Sequence, residues 1–399
     1  MNIPHYFPPS RQVALDRIKA INPSEYASSR NHLEGRVTGL SPYITHALVS
    51  LPELLATVLS QHPLRIQDKL IFELGWREYF RHLWKFHGNG IGSSIHQGPL
   101  PDDQYMVNLP WDIRQASTGI AVIDMAVTTL YASGYLHNHA RMWLASYIVH
   151  IRKVHWRTGA DWLYGHLLDG DLASNHLSWQ WVAGTNSAKP YIYNADNVTR
   201  FAPPDWHCHG SILDQSYEAL QILANQPLSM DTAEAMISNP VDQLHEPDLL
   251  CAPPKDLNFS APDPAAVKGA DVWLIHPWNL GALPASLSPD VIIVCIFISD
   301  FHQRWPWSRR RWQFVAERMT QLASLRWYGD SHAIAQALKT AHQVHSTSDP
   351  HLDEWLMTLA HCEPASMLFP EPPHRCDSFS KWWSQVSRGK RLGAELLTN

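Results

Sequence analysis

The 399-residue chain has no apolar run approaching the roughly 18 residues that a membrane helix needs. Its longest, Val291 to Ile298, spans eight residues and reads as a buried strand. No membrane association is therefore expected. Residues Met1 to Arg11 lack a basic region followed by an apolar stretch and a small-residue cleavage site, so nothing directs export and a cytoplasmic location is expected. Cysteine is scarce and scattered (Cys208, Cys251, Cys295, Cys362, Cys376), with no C-x-x-C pair, which argues against disulfides, an iron–sulfur cluster and a zinc site. The 24 histidines include no H-E-x-x-H, so a metallohydrolase finds no support. Positive charge is also in deficit. The formal net charge of −6 excludes a protein that coats nucleic acid by bulk electrostatics, while leaving room for a local basic groove. Tryptophan, by contrast, is abundant. Eighteen exceed what core packing needs and point to stacking surfaces, a pocket for a flat cofactor or electron relays.

From Tyr26 to about Arg200 apolar residues recur at three- and four-residue spacing, broken by loops such as Gly88 to Tyr105, and predict an all-helical domain. Prolines crowd the stretch that follows (Pro227, Pro240, Pro247, Pro253, Pro254, Pro262, Pro264), which reads as a linker with one short helix near Met230 to Ser238. Beyond it, β-branched runs alternate with helices: strands at Val272 to His276, Val291 to Ile298, Leu325 to Tyr328 and Met367 to Phe369, helices at Ser308 to Ser324 and Ser331 to Ala341. This is the βαβ grammar of a small parallel sheet. The expected organisation is an all-α domain over residues 1–225, a linker over 226–269 and a small α/β domain with a helical tail over 270–399, in a chain expected to be a monomer.

Helix LIFELGWREYFRHLWKF, from Leu70 to Phe86, places Glu73, Trp76, Arg77 and Phe80 on one face. HNHARMWLASYIVHIRKVHW reads as a second helix with Asn138, Arg141 and Met142 on a common face, and HLLDGDLASNHLSWQW follows with Asp169, Asp171, Asn175, Trp179 and Trp181. Such charges are buried only when paired with each other or with a ligand. The pattern thus favours a polar cofactor or substrate cavity over the alternative, a helical bundle with ordinary interhelical salt bridges.

The segments GWREYFRHLW, TGIAVIDMAVTTLYASGYLHNHARM and DWLYGHLLDGDLASNHLSWQW, preceded in the same order by Tyr26, Arg30 and the turn TGLSPYI, resemble the flavin domain of photolyases and cryptochromes over roughly Tyr26 to Arg200. The resemblance implies FAD as cofactor. By it, Tyr26, Thr38, Gly39, Leu40 and Ser41 would hold the pyrophosphate through hydroxyls and main-chain N–H groups. Arg77 would lie against the cofactor, Arg141 and Asp169 would form the ion pair beside the flavin ring, with Asp171 as second carboxylate, and Asn175 would face flavin N5. A neutral amide there leans towards photolyase over plant cryptochrome. Trp179 and Trp156, 23 residues apart, have the spacing of the inner and middle members of the family's electron relay. The outer tryptophan is missing near Asp103, where Trp111 or Tyr105 stands in as candidate.

The family's pyrimidine-dimer enzymes line their substrate cavity with residues that match Glu73, Trp76, Asn138, Met142 and Trp181. Trp76 and Trp181 would stack on flipped-out bases, at about 1–3 kcal/mol per base, against the few kcal/mol of unstacking. Glu73, its pKa raised by desolvation, would donate a hydrogen bond to the thymine carbonyls. Asn138 replaces the histidine of enzymes for the other major ultraviolet photoproduct, so ultraviolet-damaged DNA carrying a cyclobutane dimer is the expected partner.

The chain also departs from the pattern. His139 stands where most relatives carry an arginine against DNA phosphate, which removes a permanent positive charge. The shortened sheet, about Ala270 to Phe369, follows the flavin domain where the family's α/β domain precedes it, an order resembling a circular permutation, and no antenna chromophore is expected. Arg309 to Arg311, beside Trp305, Trp307 and Trp312, reads as a solvated helix start or a phosphate contact, and the cluster His207, Cys208, His209 reads as a surface loop. Two functions stay open: a light-driven repair enzyme, and a cryptochrome-like photoreceptor that signals to a partner protein.

Overall fold

In the computed structural model, which describes residues 6–227 and 244–397, the longer helices of the N-terminal part are α1 (Arg11–Lys19), α2 (Pro23–Ser29), α3 (Ser41–Thr45), α4 (Leu51–Leu59), α5 (Lys69–His87), α6 (Ala121–Ser133), α7 (Asn138–Ser146), α8 (Trp156–His166), α9 (Leu172–Ala183), α10 (Ala195–Phe201) and α11 (Tyr217–Ala224). After them come β1 (Asp271–Ile275), β2 (Ile292–Ile298), α12 (Arg309–Leu322), β3 (Leu325–Gly329), α13 (Ser331–Leu338), β4 (Gln343–Thr347), β5 (His361–Glu363) and α14 (Phe379–Val386). The helix expected at Met230 to Ser238 lies outside the described residues. The chain forms two compact units. One comprises Asn22–Val37 and Phe80–Pro247; the other comprises Phe7–Ile21, Thr38–Tyr79 and Asp248–Asn399.

In the first unit, three successive helices are started by polar side chains that accept from their own first turn: His137 from His139 N at 3.1 Å, His155 from Arg157 N at 3.2 Å and Asp171 from Ser174 N at 2.9 Å. Each satisfies an otherwise orphaned donor. Gly134 and Gly184, both left-handed, close α6 and α9. Around them Val122, Leu130, Trp143, Leu144, Ile148 and Leu163 build a dry core.

The segment read as one helix from His137 to Trp156 is two. Residues Tyr147–Ile151 widen into a π-turn, and Lys153 then adopts φ +52°. The break is held by the buried Lys153 ammonium, which donates to the carbonyls of Leu223 and Ala224 at 2.8 and 3.0 Å, ending α11. Trp156 therefore opens a new helix.

In the second unit, β1 to β5 form one parallel sheet in the order β3-β2-β1-β4-β5. The β-branched run of β2 is buried at its centre, as a strand covered on both faces must be. Met367 to Phe369, expected as a strand, is not one. The N–H groups of Leu368 and Phe369 donate instead to the buried carboxylate of Glu78, at 2.7 and 2.9 Å. Of the arginine run, Arg309 pairs with Asp256 at 2.7 Å, whereas Arg311 is fully buried over the Trp307 ring, 4.0 Å from its centroid, so it belongs to neither of the surface readings. No described helix is long and apolar enough to cross a membrane.

Candidate functional site

The first unit carries the ion pair. The Arg141 guanidinium donates from Nη2 to both oxygens of Asp169, at 3.0 and 2.8 Å, and from Nε to the Leu136 carbonyl at 2.7 Å. Three fixed bonds leave the planar group no freedom to turn. Arg81, one turn beyond Arg77 on α5, lies 3.4 Å from Asp171, whose other oxygen caps α9. Asp171 thus does two things at once, and Arg81 is a residue that sequence reasoning missed, although its i, i+4 relation to Arg77 placed it on the same face.

Asn175 is nearly buried, and its Nδ2 donates to the Ala160 carbonyl at 2.8 Å. That bond settles which end of the amide is which and leaves Oδ1 as the end able to accept from another group. Next to it, the Ser174 hydroxyl is buried without a hydrogen-bond partner among the described residues. The held guanidinium–carboxylate pair and the oriented amide offer donors and acceptors of the kind that the polar edge of a flavin ring takes.

The two relay candidates share the α8–α9 contact. Trp156 and Trp179 are both buried. Trp179 lies on Gly159, one turn after Trp156, where any Cβ would stand 2.4 Å from its ring. Trp156 meets the edge of His176 with centroids 6.3 Å apart and donates from Nε1 to Ser94 Oγ at 2.9 Å. On its other side the rings continue: His155 at 5.7 Å from Trp156, then half-buried Tyr105 at 6.2 Å from His155. Hydrogen bonds from Met106 N to Lys153 O and from His155 N to Met106 O hold that loop in place. Trp111 is well exposed at the start of its own short helix.

Of the substrate candidates in this unit, Asn138 is exposed and its Nδ2 lies 3.5 Å from Met142 Sδ, so these two are brought together. Trp181 keeps 38% of its surface exposed and stacks on Tyr191 at 5.7 Å and 29°. His139 is no surface cation. Its ring stacks on Phe201 at 4.8 Å and meets Trp143 at 5.0 Å, and burial pulls its pKa down. Tyr26 is half-buried on α2. In the loop His207 to Asp214, His209 bonds Asp214 and Thr199, and no group of three or more potential metal ligands occurs among the described residues.

The second unit carries the remaining candidates. Gly39 turns the chain at φ +60°, with the Arg17 guanidinium on its carbonyl at 3.0 Å. The Leu40 N–H reaches Thr38 Oγ1 at 3.4 Å, and α3 then starts at Ser41 without a side-chain cap. Arg77 donates to Thr45 Oγ1 at 3.2 Å, in the same short helix. Glu73 is half-buried. Trp76 does not stand alone, since its ring lies parallel on Phe379 of α14.

Burial also sets an acid limit. His137 and His150 are both pulled down to about 4, by desolvation first and, for His137, by His139 and Arg141 as well. Unfolded histidines titrate near 6.5, so the unfolded chain binds more protons between the two values. This stability is complete above pH about 6.5 and is lost as pH falls to about 4. The melting temperature should drop across that window, and His150→Gln, which keeps a donor for the Val182 carbonyl now met at 2.8 Å, should flatten the drop. An unchanged slope in the variant would remove His150 from the account.

Residues 70–205 match the family described as the FAD binding domain of DNA photolyase. The deoxyribodipyrimidine photo-lyase of Buchnera aphidicola is 29% identical over 203 residues, covering 47% of this chain and 41% of the relative. That of Synechococcus is 28% identical over 216 residues, covering 47% and 43%. Cryptochrome DASH of Ostreococcus tauri is 30% identical over 189 residues, covering 45% and 34%. The chain spans less than half the length of each of these curated relatives.

Proposed function

From the premise that this chain carries the FAD-binding domain of the photolyase/cryptochrome family over residues 70–205, we propose that it is a blue-light-driven repair enzyme that splits cyclobutane pyrimidine dimers in DNA. When bound, FAD in its reduced form would supply, on excitation, the electron that opens the cyclobutane ring and then take it back, with no net redox change. The work of the protein is to hold and to select. By the resemblance, Arg141, Asp169, Asp171, Asn175 and Tyr26 are assigned to the cofactor, as are Thr38, Gly39, Leu40, Ser41 and Arg77. Trp181 and Trp76 are assigned to stacking on a base. Asn138 and Met142 shape the rim, and Glu73 is assigned the hydrogen bond to a thymine carbonyl. Trp179 and Trp156 pass oxidising equivalents outward, and the ring sequence Trp156, His155, Tyr105 supports Tyr105 as the outer member.

The observation that carries the repair reading is the exposed, ring-backed Trp181 in a unit where Asn138 and Met142 are already in contact. A base-stacking face kept open at this position serves a nucleic-acid ligand. We propose no antenna. Trp278 and His351, which follow β1 and β4, the switch point where a sheet of this strand order takes its ligand, stack on each other at 4.1 Å and 5°, which supports that reading. The photoreceptor reading draws support from His139, folded into the protein against Phe201 and unable to act as a permanent phosphate contact. Purified, reduced protein mixed with an oligonucleotide containing one thymine dimer separates the two. Light-dependent return of the two thymines, absent in the dark, is expected; bound FAD that responds to light with no repair would move the protein to the photoreceptors.

A further inference from the structure

We propose that Ser94 and Asp102 form a proton exit from the relay: once Trp156 has given up an electron, its indole proton passes to Ser94 Oγ, and the Ser94 hydroxyl proton passes to the Asp102 carboxylate. The inference rests on the reading of Trp156 as a relay member. Trp156 is buried, and its Nε1 donates to Ser94 Oγ at 2.9 Å. The Ser94 hydroxyl donates in turn to Asp102, 3.1 Å from Oδ2 and 3.3 Å from Oδ1. Both steps lie at or close to the hydrogen-bond reach that proton transfer requires. The Asp102 side chain is 54% exposed, so the path begins in the core and ends at water. A carbonyl would satisfy a buried indole equally well, as that of Leu250 does for Trp312 at 3.1 Å, but a carbonyl cannot hand a proton on. A hydroxyl accepts and donates at once.

Ser94 is held where the path needs it. On one side the Gly92 carbonyl accepts from Arg157 Nη1 at 2.6 Å; on the other the Ile95 N–H donates to Gln180 Oε1 and the His96 N–H to the Thr185 carbonyl, both at 3.0 Å. Residues of α8 and of the end of α9 thus clamp both flanks of the serine. Asp102 is met from a second side. His155 Nδ1 accepts from the Arg157 N–H at 3.2 Å, so the ring proton sits on Nε2, 3.5 Å from Asp102 Oδ2. His155 therefore turns an N–H towards the carboxylate and does not compete with it for the proton. In the transfer, one electron goes from Trp156 to Trp179, itself oxidised by the photoexcited flavin, and the N–H bond of Trp156 breaks with its electron pair left on nitrogen. A neutral indolyl radical and a carboxylic acid result; an added thiol later returns one electron and one proton and becomes a thiyl radical. An indole that has lost an electron is a far stronger acid than the intact ring, so the transfer runs downhill. In a chain without the outer tryptophan near Asp103, proton loss keeps the electron from simply coming back, and it does so without using Tyr105.

The test is flash spectroscopy of the flavin-bound protein carrying Tyr105→Phe, which removes the phenol as a competing donor, with Asp102→Asn, Ser94→Ala and Ser94→Thr added one at a time. The readout is conversion of the tryptophan radical from its cationic to its neutral spectrum. Asparagine still accepts from Ser94 but is no base; alanine removes the hydroxyl; threonine keeps it. Conversion in the parent should slow in heavy water. It should be about 100-fold slower in Asp102→Asn and in Ser94→Ala, the lower end of what a positioned base contributes, and Ser94→Thr should restore it. Conversion at the parent's rate in Asp102→Asn would overturn the inference and leave the relay standing, whatever Ser94→Ala does. A radical that stays cationic in the parent would overturn it too. No tryptophan radical in the parent, or an equal one after Trp156→Phe, would instead bring down the relay reading, and this inference with it.

Discussion

Replacing Trp179 with phenylalanine should stop light-driven reduction of the flavin while leaving FAD bound. The side chain is buried against Gly159, so phenylalanine keeps the apolar contact and removes only the oxidisable indole. Trp179 takes no part in the Arg141–Asp169 and Asn175–Ala160 bonds that would meet the cofactor, and flavin content should therefore match wild type. Absorbance of the oxidised flavin under blue light, with a thiol as external reductant, is the readout. The wild-type protein should bleach and the variant should not. Bleaching at the wild-type rate in the variant would remove Trp179 from the relay.

Arg141→Ala should both destabilise the fold and release the cofactor. It leaves the Asp169 carboxylate, with 3% of its side chain exposed, without the guanidinium that now meets both its oxygens. Breaking such a buried pair costs about 3–5 kcal/mol. The lower end applies, since about a quarter of the Arg141 side chain reaches solvent. For a domain of this size about 3 kcal/mol corresponds to a fall of roughly 6–12 °C in melting temperature. Adding Asp169→Asn should recover part of that stability and none of the flavin, because it removes the stranded charge without rebuilding the pair. A single variant that melts within a degree or two of wild type and still elutes with FAD would show that the pair is peripheral.

The expected order, a helical domain followed by a small parallel sheet, is the one the chain has, and residues 70–205 match the FAD binding domain of DNA photolyase. Its legible parts are those written locally. The period of Lys69–His87 and the β-branched run of Ile292–Ile298 each announce themselves within one helix or one strand. What stayed hidden is what neighbouring residues do not encode. Gln343–Thr347 is a strand with the polar sequence QVHST, ordered by pairing with β1, so its own pattern is weak. Met367 to Phe369 has the composition of a strand, but its backbone donors are claimed by Glu78, nearly 300 positions away. The break before Trp156 depends on a left-handed Lys153 whose ammonium finds carbonyls in another helix.

The candidate site divides in the same way. Residues that motifs place on one turn, such as Asp169 with Asp171 or Asn138 with Met142, were readable as sets. Partners supplied from elsewhere were not: Tyr191 behind Trp181, Phe379 behind Trp76 and Arg81 on Asp171 are ring or charge contacts formed only by folding. The helix face assigned from spacing to Glu73, Trp76, Arg77 and Phe80 is therefore less uniform than it reads, with Arg77 committed to Thr45 and Trp76 to the tail helix.

The account depends most on the cofactor. The protein should be purified in the dark and denatured, and the released chromophore identified by mass and fluorescence. One FAD per chain in the wild-type protein, falling away in Arg141→Ala, is the predicted result; a colourless wild-type protein that takes up no FAD when it is added would contradict the account at its root.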